Sequence, residues 1–195
     1  MGEQIEVRVP YKPGRKLGEA YNEAMDTSRA EWVLLLDWDL FSCNPHWYDL
    51  CVDAIRQHGH EAGWITCVTN SIGGQSQKAK NYGPEPPAGH DLVDHMRYGR
   101  MLHRKYNTMD LCTGQVIKTD VRRFKGALSG FFILTSKSAW RDAGGFDEST
   151  GRLLGIDNRY SRAVCQAGYR LMGMPGLYYY HIYRAKRHLW RSGPR

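Results

Sequence analysis

No stretch of this chain is apolar for long enough to cross a bilayer. The longest uninterrupted runs, Trp32 to Leu36 and Phe131 to Leu134, fall far short of the ~20 residues that a spanning helix needs. The first residues also lack the apolar core of an export signal, so neither a membrane span nor Sec export is expected. Cysteine is sparse: Cys43, Cys51, Cys67, Cys112 and Cys165 are odd in number and form no CxxC or CxxxxC pair. That argues against a disulfide framework and a zinc cluster and suits a reducing cytoplasm. Met1-Gly2 is followed by Glu6 where a myristoylation signal needs Ser or Thr, so no lipid anchor is implied. Internal repeats and low-complexity tracts are missing as well.

What remains is 195 residues, the size of one compact domain, with 42% apolar residues to build its core. Disorder throughout is excluded. Lys and Arg outnumber Asp and Glu by 27 to 20, which favours an anionic partner. Nucleotide phosphates, nucleic acid and acidic glycans all stay open on that ground.

Ile5 to Val9 alternates apolar and charged residues and stops at Pro10, which predicts a short strand before the Pro13-Gly14 turn. Leu17, Ala20, Tyr21, Ala24 and Met25 recur at helical spacing, predicting a helix to about Ser28. Trp32 to Leu36 is continuously apolar, as in a strand covered on both faces. A helix with Asn44 as cap and Pro45 in its first turn is expected to run to about His58, followed by a strand at Trp64 to Thr69. Gly73-Gly74, Pro84, Pro86-Pro87 and Gly89 then predict a loop over a site. A helix is expected over residues 91–105, a strand over Leu128 to Thr135, a short helix capped by Ser136, and a helix from about Asp157 to Gly168. Tyr169 to Met172 and Leu177 to Tyr180, flanking Pro175-Gly176, predict a closing hairpin before a basic tail over 185–195.

The chemistry concentrates at Leu36-Asp37-Trp38-Asp39, where two carboxylates follow directly on the most apolar strand. Ligands of open α/β sheets bind beyond the carboxyl ends of strands. Residues i and i+2 of an extended segment point the same way, so both carboxylates face one ion, Mg²⁺ or Mn²⁺, which in turn can bridge to a diphosphate. A DxD pair is equally compatible with a polar strand end in which Asp39 caps a turn.

Four segments together resemble the GT-A glycosyltransferases, especially the family-2-like nucleotide-sugar enzymes. They are Leu17-Gly18-Glu19-Ala20-Tyr21-Asn22, the strand with its DxD, Ser129-Gly130-Phe131-Phe132 with Ala143-Gly144-Gly145-Phe146-Asp147-Glu148, and Ile156-Asp157-Asn158-Arg159 with Gly168-Tyr169-Arg170. The resemblance runs from about residue 7 to 184. It implies an α/β fold with a GT-A-like, Rossmann-like central mixed and mostly parallel sheet flanked by helices, as a single domain over 1–184. It also implies a metal-dependent transfer of a sugar from a nucleoside-diphosphate donor, a UDP-sugar favoured, to an acceptor hydroxyl with inversion.

In that reading Asp157 is the base that deprotonates the acceptor, or it caps its helix, or both. His181 is similar to the histidine that some GT-A enzymes add to Asp37 and Asp39 as a metal ligand, although a lone His beside aromatics also suits packing. Arg15 and Lys16 are candidates for the donor phosphates or are simply solvated. Trp38 and the Tyr-rich run offer rings for stacking on sugar or base, with buried aromatic packing as the default alternative. Gly130 allows a sugar to approach closely or serves strand packing. Asn22 is carried over as a donor- or substrate-side residue, and Gly145 and Asp147 are read as holding their turn and touching acceptor or sugar hydroxyls rather than performing chemistry.

The chain departs from the family at its start, where only about sixteen residues precede the first helix instead of a βαβ unit with a base-binding Asp. Either the Val9-Pro10-Tyr11 strand end forms that wall, or a partner subunit completes it. Residues 72–125 are the least family-like and are read as an acceptor lid. Their Arg97, Arg100, Arg104, Lys105, Lys118, Arg122, Arg123 and Lys125, interleaved with Tyr98, His103, Tyr106 and Phe124, make a hydroxymethylated base in DNA, as in some phages, an acceptor alongside a glycan. A non-catalytic nucleic-acid-binding subunit with a truncated core is the competing function, and a metal-dependent nucleotidyl or phosphoryl transferase ranks behind both.

Overall fold

The computed structural model describes residues 4–110, 112–149 and 155–182. The tail over 185–195 lies outside the described residues. Strands β1 (Ile5–Arg8), β2 (Trp32–Leu36), β3 (Leu40–Ser42), β4 (Ala62–Thr69), β7 (Arg122–Arg123), β8 (Phe132–Ser136) and β9 (Arg170–His181) form one sheet in the order β1-β2-β8-β4-β9-β3, with β7 also on β9. A separate two-stranded ribbon pairs β5 (Thr108–Met109) with β6 (Val116–Lys118). Helices α1 (Leu17–Thr27), α2 (Trp47–His58), α3 (Leu92–Tyr106), α4 (Lys137–Asp142) and α5 (Ile156–Gln166) flank the sheet.

The unbroken apolar run of β2 has a direct cause. Val33 and Leu35 enter a core layer with Tyr21, Met25, Tyr160 and Val164 from α1 and α5, whereas Trp32 and Leu34 enter a second layer with Leu50, Cys51 and Ile55 from α2. Both faces are covered, so the strand has no polar side to show. Ser136 begins α4 as the sequence predicts, its hydroxyl accepting from Ala139 N–H at 3.0 Å. Asn44 does not cap α2. Its Oδ1 accepts from His46 N–H at 2.9 Å, closing a turn one step before the helix begins at Trp47.

The sheet is mixed, but parallel pairing does not dominate it. β1–β2 and β4–β9 are parallel, and β2–β8, β8–β4, β9–β3 and β9–β7 are antiparallel. The reversal arises because β8 enters between β2 and β4 from their carboxyl ends, after the chain has passed over that edge of the sheet. The closing hairpin is not formed either. Residues 170–181 are one strand, parallel to β4, with the register shifting between Cys67↔Met174 and Val68↔Tyr178 so that Pro175, Gly176 and Leu177 bulge out of the ladder. A bulge tolerates the missing N–H of Pro175. Gly176 is glycine for closeness: a Cβ there would meet the Asn107 side chain at 2.4 Å.

The segment from Ile72 to Lys125 is largely part of the body of the fold. Tyr98 of α3 packs edge-on against Tyr178 of β9, with centroids 4.9 Å apart. His95, fully buried, contacts the Tyr178 hydroxyl at 2.7 Å and Gly89 O at 2.9 Å. Phe124 lies so close over β9 that a Cβ on Gly173 would fall 2.2 Å from its ring. Tyr98, His103 and Phe124 are buried, so they are closed to a nucleic-acid strand, and the half-buried Tyr106 lies 5.1 Å beneath the Arg122 guanidinium. Of this segment, Ile72 and Gly73 line the cleft described below. No described helix is long and apolar enough to cross a membrane.

Candidate metal centre

Three backbone connections bring the ends of β2 and β9 together. Asp37 N–H donates to Phe131 O at 3.0 Å, carrying the β2–β8 ladder one rung past Leu36. The chain then turns, and Ile182 N–H donates to Asp39 O at 3.0 Å while Leu40 of β3 pairs with His181. Asn70, just beyond β4, grips His181 from its other side: His181 N–H donates to Asn70 Oδ1 at 2.8 Å, and Asn70 Nδ2 donates to His181 O at 3.2 Å. The His181 ring is buried and lies flat against Phe131, with centroids 5.9 Å apart.

Its Nε2 comes to 3.3 Å from Asp39 Oδ1 and 4.0 Å from Asp37 Oδ2, and one ligand atom from each of the three residues lies within 4.8 Å of the others. Two hard carboxylate oxygens and an imidazole nitrogen converging on one point suit a divalent cation, and the imidazole favours Mn²⁺ over Mg²⁺. Burial pushes the Asp37 carboxyl up to about 6, opposed by His181 and reinforced by the negative charges of Asp39 and Asp157.

Asp157 stands in the first turn of α5, behind Gly155, whose φ of 99° makes the turn into the helix. Its Oδ2 accepts from Gly130 N–H at 3.1 Å and its Oδ1 from Asn158 N–H at 2.8 Å. Ser129, next to Gly130, is stitched to the loop after β4. The fully buried Gln77 accepts from Ser129 N–H at 2.7 Å and donates to Ser129 O at 3.0 Å, and Gly74 N–H donates to the Ser129 hydroxyl at 3.0 Å. The Asp-Asp-His group and Asp157 thus line one cleft of about 700 Å³.

Of the residues singled out in the sequence, Tyr11, Asp37, Trp38, Asp39, Gly130, Asp157 and His181 all line this cleft. Tyr11 and Trp38 present large exposed rings, 86% and 66% accessible. The backbone of Arg15 forms a short 3₁₀ turn with Pro13 and Gly14, and its side chain lies outside what the structure describes. Lys16 turns to Glu19, with Nζ–Oε1 at 2.8 Å, and does not line the cleft; Lys12 does, its Nζ 3.2 Å from Glu19 and 3.4 Å from Glu23.

Asn22, Gly145 and Asp147 form an interlock between α1 and the turn after α4, away from the cleft. Asn22 Oδ1 accepts from Trp140 Nε1 at 3.0 Å and Phe146 N–H at 2.8 Å, and its Nδ2 donates to Phe146 O at 2.9 Å and Glu148 at 2.7 Å. With all its capacity used, Asn22 has nothing left for a donor nucleotide. Gly145 has φ +78°, and a Cβ there would meet Asn22 Oδ1 at 3.1 Å. Hydrogen bonds from Ser149 and then the Arg159 guanidinium hold the Asp147 carboxyl down at about 2.

Gly18 completes the interlock, since a Cβ on it would lie 2.2 Å from Asp147 O. Gly18→Ala is therefore expected to destabilise the protein by about 2 kcal/mol, against the ~1 kcal/mol gain that Ala ordinarily brings to a helix. Urea denaturation checks the sign, and a stabilised variant would dismiss the close packing of α1 on this turn.

Lys12, Tyr21, Asn70 and Gln77 escape sequence reasoning as site residues. Tyr21 carries a signal of sorts, since it is the one residue of the apolar stripe of α1 with a polar tip. Compared with protein-family models and with curated proteins, the chain matches none.

Proposed function

We propose that this chain is a metal-dependent glycosyltransferase that moves a sugar from a nucleoside-diphosphate donor, a UDP-sugar favoured, to an acceptor hydroxyl with inversion. One observation carries the reading: Asp37, Asp39 and His181 converge in the same cleft that Asp157 enters from the opposite element. Bound by those three side chains, a divalent cation supplies neutralising charge for the departing diphosphate.

The chain's own groups do the rest. Asp157 takes the proton of the acceptor hydroxyl as that oxygen bonds to the anomeric carbon, and the bond from that carbon to the diphosphate breaks with its electron pair leaving on the diphosphate. Gly130 N–H orients the Asp157 carboxylate through its 3.1 Å hydrogen bond. Pro10 and Tyr11, at the edge of the cleft, support the reading in which the end of β1 walls the nucleobase. The acceptor is a glycan or a hydroxymethylated base in DNA.

A thermal-shift panel of UDP, GDP, CDP and their sugar conjugates, with and without Mn²⁺, tests this. One nucleotide is expected to stabilise the protein in a Mn²⁺-dependent way, by roughly 2.7 kcal/mol at 100 times Kd. No shift with any nucleotide, together with salt-sensitive DNA binding indifferent to Mn²⁺, would replace the enzyme reading with that of a nucleic-acid-binding subunit.

A further inference from the structure

The Tyr21 ring is 3% exposed and packs against Phe146, with centroids 4.8 Å apart. A phenylalanine would fill that place equally well, so packing does not account for the hydroxyl. The fully buried rings of the same layer that carry a polar tip use it: Trp64 Nε1 donates to Phe132 O at 2.9 Å, the Tyr160 and Thr135 hydroxyls meet at 2.8 Å, the Tyr178 hydroxyl meets His95 at 2.7 Å, and the Tyr180 hydroxyl meets His90. The Tyr21 hydroxyl has no hydrogen-bond partner among the described residues. With no partner among them, the hydroxyl is left for something else to satisfy.

That something is available in the cleft. Tyr21 lines it together with Asp37 on the metal side and Asp157 on the acceptor side. Gly130 lies beside the tip: a Cβ there would come to 3.7 Å from the hydroxyl, in ordinary van der Waals contact. Burial, then the charges of Asp37 and Asp157, push the phenol far up, which leaves it a neutral donor in a cleft otherwise rich in carboxylate acceptors.

We infer that the Tyr21 hydroxyl recognises the transferred sugar, donating a hydrogen bond to one of its hydroxyl oxygens. The inference rests on the glycosyltransferase reading: in that reading the diphosphate lies toward Asp37 and the acceptor toward Asp157, and the group joining the two is the sugar. A site with a buried donor aimed at a ligand oxygen discriminates against ligands that leave it unpaired.

The test is Tyr21→Phe, which keeps the ring and its packing. Titration calorimetry with Mn²⁺ compares UDP-glucose against UDP and GDP-mannose against GDP. For the nucleotide that the wild type binds, the variant is expected to lose about tenfold in affinity for the sugar conjugate and none for the bare diphosphate, with Tm within about 2 °C of wild type. Equal affinity of wild type and variant for the conjugate overturns the assignment, as does an equal loss for conjugate and bare diphosphate. So does a Tm lowered by several degrees with no selective loss, which would mark the hydroxyl as structural. Where CDP alone binds, CDP-glucose against CDP is the comparison; a wild type that binds neither these four nor CDP overturns the glycosyltransferase reading itself, and this inference with it.

Discussion

Asp157→Asn is expected to lower turnover by about three orders of magnitude while leaving Mn²⁺-dependent binding of the nucleoside diphosphate unchanged. General-base catalysis contributes roughly 10²- to 10⁴-fold, and an amide cannot accept the acceptor's proton. The substitution is nearly isosteric, and the single amide oxygen can still accept from Gly130 N–H, the bond that holds the side chain at 3.1 Å. It cannot also serve Asn158 N–H, so a loss of about 1 kcal/mol in stability accompanies the change. Turnover and binding separate because Asp157 belongs to the α5 side of the cleft and not to the Asp-Asp-His group. Single-turnover kinetics beside calorimetry checks the pair of expectations. Full activity in this variant would remove Asp157 from the chemistry and leave it as a residue that steadies Gly130.

Asp39→Ala is expected to abolish turnover and, unlike Asp157→Asn, to abolish metal-dependent nucleotide binding too. The Asp39 carboxylate lies nearer to His181 Nε2 than that of Asp37 does, at 3.3 Å against 4.0 Å, and its loss leaves one carboxylate and one imidazole to hold the ion. The fold should survive, because the part of Asp39 that joins β3 to β9 is its backbone carbonyl, accepting from Ile182 N–H at 3.0 Å.

The same centre predicts a pH dependence. Burial raises the Asp37 carboxyl from its ordinary 3.8 to about 6, so without metal the folded state holds that proton more tightly than the unfolded chain. Its contribution to stability is then full below about 4 and is lost as pH rises through 6. Metal and proton compete for the carboxylate. Mn²⁺ affinity should accordingly fall as pH drops below 6, and the metal-induced rise in Tm should be larger at pH 7.5 than at pH 5. A shift that is flat across that range would separate Asp37 from the ion.

Much of this arrangement is legible in the sequence, for identifiable reasons. The span of β2 follows from an apolar run with charge at both ends, and the carboxylates that follow it lie at a strand end because the apolar run stops there. Helix α1 announces itself by spacing, as does α3, which spans Leu92–Tyr106 behind Asp91 as its cap. β9 does not, because Pro175-Gly176 has the composition of a turn, and only the approach of Asn107 from α3's end explains the glycine. Asn22, Gly145 and Asp147 show a different limit: a family likeness identifies motif residues without distinguishing those that meet a ligand from those that lock α1 to the turn. Gln77 and Asn70 are illegible for a third reason. Each acts across a long sequence separation, Gln77 on Ser129 and Asn70 on His181, and nothing in the local sequence of a polar amide says which distant backbone it will hold.

The most direct test is a Mn²⁺ titration of the metal-free protein at pH 7.5, followed by electron paramagnetic resonance of the free ion, on wild type, Asp39→Ala and Asp157→Asn. One ion per chain in wild type and in Asp157→Asn, and none in Asp39→Ala, is the predicted result. Failure of the wild type to bind, or undiminished binding in Asp39→Ala, would contradict the assignment of Asp37, Asp39 and His181 as a metal centre.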